Sequence, residues 1–350
     1  MKSSDTGRAG AGDGGRSLAR RAWLRSMLCL GSAGTVEAGL PSLVWAQDAA
    51  PWSPRGPVRI VVPFAAGGSS DLIARVLAVR LTEALQQPVV VENKLGAGGN
   101  IGIASVGNAA PDGLSLLMVS SAFVTNPALY PDKPPYDPVK QFAPISLAVS
   151  SPDVIAVRTA SPLKTLADLV ALAKSKPGGL NYSTPGKGNS SHLGGELLWQ
   201  RAGVQLVHVP YNGAAPAVLA ALSEQVDCAL VSLPSAKAQI AGGTLRALSV
   251  GGDKRWPEFP AVPTVAEQGY AGYRSETMQA LFAPAGTPPA AIDRLGREVR
   301  RILQDPAVQQ QTRDMGFETV ASLPAALGAR VAEEAPRWRA VAAQAHIRAD

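Results

Sequence analysis

Residues Pro57–Asp71 read PVRIVVPFAAGGSSD. Val58–Pro63 is a short apolar run rich in β-branched residues, the pattern of a buried strand. Gly67 and Gly68 then break it, because glycine enters the φ > 0 conformations of a sharp turn without steric cost. Ser69 and Ser70 are N-cap residue types, and Asp71 places a negative charge in a first helical turn. From there Leu72, Ile73, Val76, Leu77, Leu81 and Leu85 fall on one face of a helix. Strand, Gly-Gly-Ser turn, helix is an arrangement that aims free backbone N–H groups at the space above the strand's C-terminal end, where an anion can sit.

The same device recurs downstream. Leu180–Thr184 reads as a strand, Pro185-Gly186-Lys187-Gly188-Asn189 as a turn, and Ser190-Ser191 precede a helix carrying Leu193, Leu197, Leu198 and Ala202. Two anion-receiving turns more than a hundred residues apart predict two lobes closing on one ligand.

The chain has 350 residues, room for two domains. Its first 46 residues read as an export signal. Arg20-Arg21-Ala22-Trp23-Leu24-Arg25 resembles a twin-arginine motif, a weakly apolar stretch follows from Met27 to Val36, and Val44-Trp45-Ala46 offers cleavage after Ala46. A periplasmic location is expected. With residues 1–46 set aside, 27 Lys/Arg face 24 Asp/Glu, a net charge of +3 instead of +6. No basic run with interleaved aromatics remains, which argues against nucleic acid. A mild positive balance suits an anionic small ligand. Cys29 lies in the signal, and Cys228 stands alone in the apolar run Val226–Val231, so no internal disulfide and no Cys/His metal cluster is expected.

Along the chain, Val89–Glu92 is a second strand, Gly96-Ala97-Gly98-Gly99-Asn100 opens a helix to about Ala110, and Leu114–Ser120 is a third strand. This βαβαβ alternation predicts a parallel sheet with crossover helices. The Pro-rich stretch Asn126–Phe142 reads as surface loop. Ile145–Val157 reads as two strand-like runs split by Ser150-Ser151-Pro152, where the chain could cross between lobes. Thr165 and Asp168 form a capping-box pair. Strands at Leu206–Val209, Val226–Val231 and Leu245–Val250 alternate with helices at Ala214–Leu222 and Ser235–Ala241. Met278–Ala283 reads as a strand returning to the first lobe, followed by helices Ala290–Leu303 and Pro324–Ala345 with a short strand Phe317–Ala321 between them.

The runs RIVVPFAAGGSSD, VVVENKLGAGGNIG, APDG, NPALY, PYDP, LNYSTPGKGNSSHLGGEL, HVPYNGAAPA, LPSA, AGGTLRALSV and APAGTPP, in this order, resemble the Bug family. Its members are extracytoplasmic solute-binding receptors of tripartite tricarboxylate transporters. The resemblance covers nearly all of residues 57–340. It implies a two-lobed α/β binding protein of the Venus-flytrap, type II-like kind, each lobe a sheet flanked by helices. On that basis residues 55–152 plus 276–350 form lobe 1 and 153–275 form lobe 2. It implies a small carboxylate ligand held by turn backbone and helix N-termini, a membrane permease as partner, a monomer, no cofactor and no catalysis. Carried over by position, the ligand site takes Phe64, Gly67, Gly68, Ser69, Ser70, Asp71, Ser120, Ser121 and Asn126 from lobe 1. From lobe 2 it takes Gly188, Asn189, Ser190, Ser191, His192, Tyr211, Val231 and Ser232. Two positions depart from the family's pattern. Val231-Ser232 stand where members often carry Asp then Asn, which removes a partner for a ligand ammonium and argues against amino acids. Lys187 is an unusual charge in the second turn.

Other chemistries fit less well. Gly96–Gly102 lacks the third glycine of a dinucleotide fingerprint, since residue 101 is Ile. Gly186-Lys187 lacks the P-loop glycine at 181 and the Ser/Thr at 188. Ser191 and His192 are helix neighbours pointing about 100° apart and cannot act as nucleophile and base on each other. A ligand-sensing receptor that presents its closed form to a signalling partner is the alternative to transport.

Overall fold

The computed structural model describes residues 52–211 and 213–349. The export signal expected over residues 1–46 lies outside them. In chain order the elements are β1 (Val58–Val62), α1 (Ser69–Leu85), β2 (Val89–Asn93), α2 (Asn100–Gly107), β3 (Ser115–Ser120), α3 (Ala122–Thr125) and β4 (Phe142–Arg158). Then come α4 (Leu166–Ser175), β5 (Asn181–Thr184), α5 (Ser190–Ala202), β6 (Val207–Pro210), α6 (Ala214–Leu222), β7 (Cys228–Ser232), α7 (Leu233–Ala241) and β8 (Leu245–Val250). The chain ends with β9 (Glu276–Pro284), α8 (Pro289–Leu303), α9 (Pro306–Asp314), β10 (Glu318–Thr319) and α10 (Pro324–Gln344).

Two sheets share one strand. The first runs β2-β1-β3-β9-β4, with β10 on the outer edge of β4. The second runs β6-β5-β7-β4-β8. In each, three parallel strands are followed by an antiparallel strand arriving from the other lobe and then by a strand antiparallel to that one, β4 in the first sheet and β8 in the second. β4 changes partner abruptly: Phe142 to Pro152 pair with β9, and Asp153 onward pairs with β7. The sequence reads as two strands split at Ser150–Pro152, but β4 is one strand of 17 residues. Pro152 is tolerated because it sits where the ladder switches partner, a place that does not need its missing N–H.

The strands alternate their faces as a doubly covered sheet requires. Val58, Ile60 and Val62 enter a core with α1 and α8, while Val61 joins Ile103 and Val106 of α2 on the opposite face. Val154 and Ala156 pack under α6 and α7, and Ile155 and Val157 face the other way, toward Leu193 and Leu197 of α5. The core on that side is continuous across both lobes, and α10 contributes Leu327, Val331 and Trp338 to it.

The Pro-rich segment after α3 is anchored. Tyr136 is buried, stacks on Phe123 at 5.8 Å, and donates its hydroxyl to Ala122 O and Phe123 O. Helix α9 escapes periodicity because only Val308 and Thr312 on it are buried; Asp305 capping it and Pro306 at its first position are its readable signals. Among the described residues no helix is long and apolar enough to cross a membrane.

Candidate ligand-binding cleft

Both turns form as their sequences demand. Gly67 takes φ +81° after β1, and Gly188 takes φ +74° after β5. In the first turn the cap position belongs to Gly68, which has extended backbone and no side chain to cap with. Ser70 is not the cap: its buried hydroxyl donates to Gln279 Oε1 of β9 at 2.6 Å. Among the described residues, the N–H groups of Ser69, Ser70 and Asp71 have no protein acceptor. A helix of this length leaves those donors, and the positive end of its dipole, for an anion or for water. In the second turn Asn189 caps α5 by accepting from His192 N, and the N–H groups of Ser190 and Ser191 stay open.

Several expected contacts serve instead to hold the turns. Asp71 is buried, accepts Gly67 N–H at 2.9 Å and pairs with Arg75 at 2.8 Å. The Arg75 side chain, helped by Gly67 and Asn93, holds its carboxyl down at about 2 against the cost of burial. His192 Nδ1 accepts Gly188 N–H at 2.9 Å, and its ring stacks on His208 at 3.5 Å. Burial pushes both rings down, His192 to about 3 and His208 to about 4, so both are neutral and Nδ1 of His192 stays an acceptor. Ser191 donates its hydroxyl to the buried carboxylate of Asp153 at 2.9 Å.

The lobes meet over a cavity of about 280 Å³. Of the expected residues, Phe64, Ser120, Ser121 and Asn126 line it from one side, and Gly188, Asn189 and Ser190 from the other. Gly98, Ala122, Thr125, Lys187 and Thr277 complete the wall. Gly67, Gly68 and Ser69 are exposed and do not line it. Neither do Tyr211, Val231 and Ser232. Tyr211 directs its hydroxyl to Gln225 Oε1 at 3.4 Å, and Ser232 lies against Ser235 at 3.1 Å at the start of α7. Val231 is fully buried with Val154 and Ala217 in the core beneath α6 and α7. Its strand face points into that core and away from the cavity, whose wall holds Lys187 and no carboxylate.

The second turn packs against the first lobe: a Cβ on Gly188 would strike the side chain of Leu129, the last residue of the Asn126–Leu129 3₁₀ turn. Asn126 is fixed in turn by donating to Gly98 O and Asn100 Oδ1. Lys187, singled out in the sequence as an unusual charge in the second turn, lines the cavity, whereas Thr125 and Thr277 carry no sequence signal for the site. Thr125 stands one residue before the expected Asn126, yet only the fold places it against the second lobe. Among the described residues there is no cluster of His, Cys, Asp and Glu that could hold a metal. Cys228 is buried, as its apolar run predicts.

Comparison with known proteins agrees with this architecture. The family model "Tripartite tricarboxylate transporter family receptor" matches residues 73–346. The structure of the periplasmic binding protein BugD is similar at TM-score 0.68 and 37% identity, over 84% of this chain and 99% of that one. The Rhodopseudomonas palustris protein Rpa4515, solved with adipate, is similar at TM-score 0.71 and 32% identity, over 84% and 99%. MatC from Rhodopseudomonas palustris, solved with malate, is similar at TM-score 0.69 and 33% identity, over 82% and 99%. The chain belongs to the tripartite tricarboxylate transporter receptor family, the group to which Bug proteins belong.

Proposed function

We propose that this protein is a periplasmic receptor that captures a small carboxylate between its lobes and delivers it to a tripartite tricarboxylate-type membrane permease. The observation that carries the proposal is the cavity wall, built of backbone, hydroxyl and amide groups with one lysine and no acid. A carboxylate there meets neutral donors, each net hydrogen bond contributing ~0.5–1.5 kcal/mol. Helix N-termini add ~0.3–2 kcal/mol toward nearby negative charge. A cavity of this size suits a small acid and excludes a bulky one. That Rpa4515 and MatC were solved with adipate and malate favours a dicarboxylate, with Lys187 near its second end.

In this reading lobe 1 comprises residues 55–152 and 276–350, lobe 2 comprises 153–275, and ligand entry is gated by hinge motion where β4 and β9 cross. Residues 1–46 direct export and are removed near Ala46, and the mature protein acts as a monomer without catalysis. Calorimetry of the purified protein with malate, succinate, adipate, glutamate and aspartate tests the ligand class. Dicarboxylates should bind, and at 100 times the dissociation constant should stabilise the fold by ~2.7 kcal/mol. Tight binding of glutamate or aspartate, with no response to the non-amino acids, would overturn the proposal. Scattering should give a smaller radius with saturating ligand; an unchanged radius counts against closure.

A further inference from the structure

We infer that Thr125 is a specificity-determining ligand contact, its hydroxyl donating to a carboxylate oxygen of the molecule held between the lobes. The inference rests on the carboxylate reading of the cleft and adds a residue to it. Thr125 is the last residue of α3, is 0% exposed, and lines the cavity. Its hydroxyl has no hydrogen-bond partner. A threonine near the end of a helix ordinarily turns its hydroxyl back onto the carbonyl three or four residues earlier. Here both acceptors are taken. Ser121 O receives Val124 N at 3.0 Å and Thr125 N at 3.1 Å. Ala122 O receives Asn126 N and the Tyr136 hydroxyl at 3.1 Å. A carbonyl oxygen has two lone pairs, so neither has room for a third donor.

The neighbouring Ser121 shows the contrast. Its hydroxyl donates to Glu276 O and accepts from Met278 N, and is saturated by the frame. A valine would fill the space of Thr125 without leaving a polar group unpaired. The hydroxyl therefore costs the empty protein stability that only a ligand oxygen or a water returns. Lys187 borders the same cavity from the second lobe, so the oxygen that meets Thr125 lies in a site biased toward negative charge.

The test compares wild type with Thr125→Val and Thr125→Ser, using malate, succinate and adipate as calorimetric probes and thermal unfolding without ligand. Thr125→Val should weaken the tightest probe roughly 5- to 30-fold, and Thr125→Ser should stay within about threefold of wild type. Without ligand, Thr125→Val should melt about 2–4 °C higher, because an orphaned hydroxyl is gone. Unchanged affinity in Thr125→Val would overturn the inference and leave the carboxylate reading standing. A lower melting point for Thr125→Val would assign the hydroxyl a structural partner and also overturn it. If none of the three probes binds wild type, the proposed function falls and takes this inference with it.

Discussion

Asp153 accepts the hydroxyl of Ser191 at 2.9 Å, so the strand that enters the second sheet is tied directly to the first turn of α5. The same carboxylate accepts Ser275 Oγ at 2.5 Å, which adds the segment leading into β9. Both crossings between the lobes and the open end of a cleft helix thus converge on one buried acid. Burial pushes Asp153 up to about 6 even though both hydroxyls favour its charge, and Glu276 adds to the rise.

This arrangement sets the sign of a pH effect. The folded value of Asp153, about 6, exceeds the ordinary 3.8, so between these limits the folded state holds a proton the unfolded state has lost. The contribution of Asp153 to stability therefore rises as pH falls through 6 toward 4 and is lowest above 6. Asp153→Asn carries no such proton. Denaturant unfolding at pH 7 and pH 4.5 should show wild type gaining roughly 2 kcal/mol relative to Asp153→Asn at the lower pH. A constant difference would contradict the assignment.

The histidine pair acts in the opposite direction. His192 and His208 are held near 3 and 4, below the ordinary 6.5, so the unfolded chain takes up their protons first. Their contribution is complete above 6.5 and is lost as pH falls toward 3. His192→Asn keeps an acceptor that can reach Gly188 N–H and does not titrate. It should flatten the acid limb of a melting-temperature profile, whereas His192→Leu should cost about 1–3 kcal/mol at pH 7 by orphaning that buried N–H. Identical acid limbs in wild type and His192→Asn would contradict this.

Gly188→Ala should weaken carboxylate binding at least about tenfold, a loss of ~1.4 kcal/mol, because its methyl group would strike Leu129 where the second turn packs on the 3₁₀ turn of the first lobe. Gly178→Ala is the control. Gly178 also has positive φ, +66°, but nothing lies within 4 Å of an added Cβ. It should lose stability through backbone strain alone and bind normally. Leu129→Ala should restore binding to Gly188→Ala; failure of that rescue would remove Leu129 from the explanation.

Glu334 on α10 is buried at 3% exposure among three arginines. Arg330 reaches it at 2.9 Å and also pairs with Glu276 at the start of β9, while Arg274 reaches it at 3.1 Å. Glu334→Ala leaves those cations without their shared partner and should lower stability by about 3–5 kcal/mol. A change below about 1 kcal/mol in the denaturant midpoint analysis would place the cluster in effectively solvated surroundings.

The local code of this chain is legible from residue order alone. Val58–Val62, the glycines at 67 and 188, and the Thr165–Asp168 capping box act over a few residues. Burial period, φ > 0 and N-cap chemistry therefore identify them in the sequence. The two-lobed α/β architecture follows from the alternation of such units and from the family resemblance. Tertiary structure decided the rest, because these features depend on groups far apart in sequence. Pro152 reads as a break until β9 and β7 are present to take over its two sides. Ser191 and His192 read as cleft residues until Asp153 and Gly188 claim their polar atoms. Val231 reads as a specificity position until its strand face turns it into the core. Thr125 gives no local signal, since its isolation depends on Tyr136 occupying the carbonyl it would otherwise use and on the second lobe closing the cavity above it.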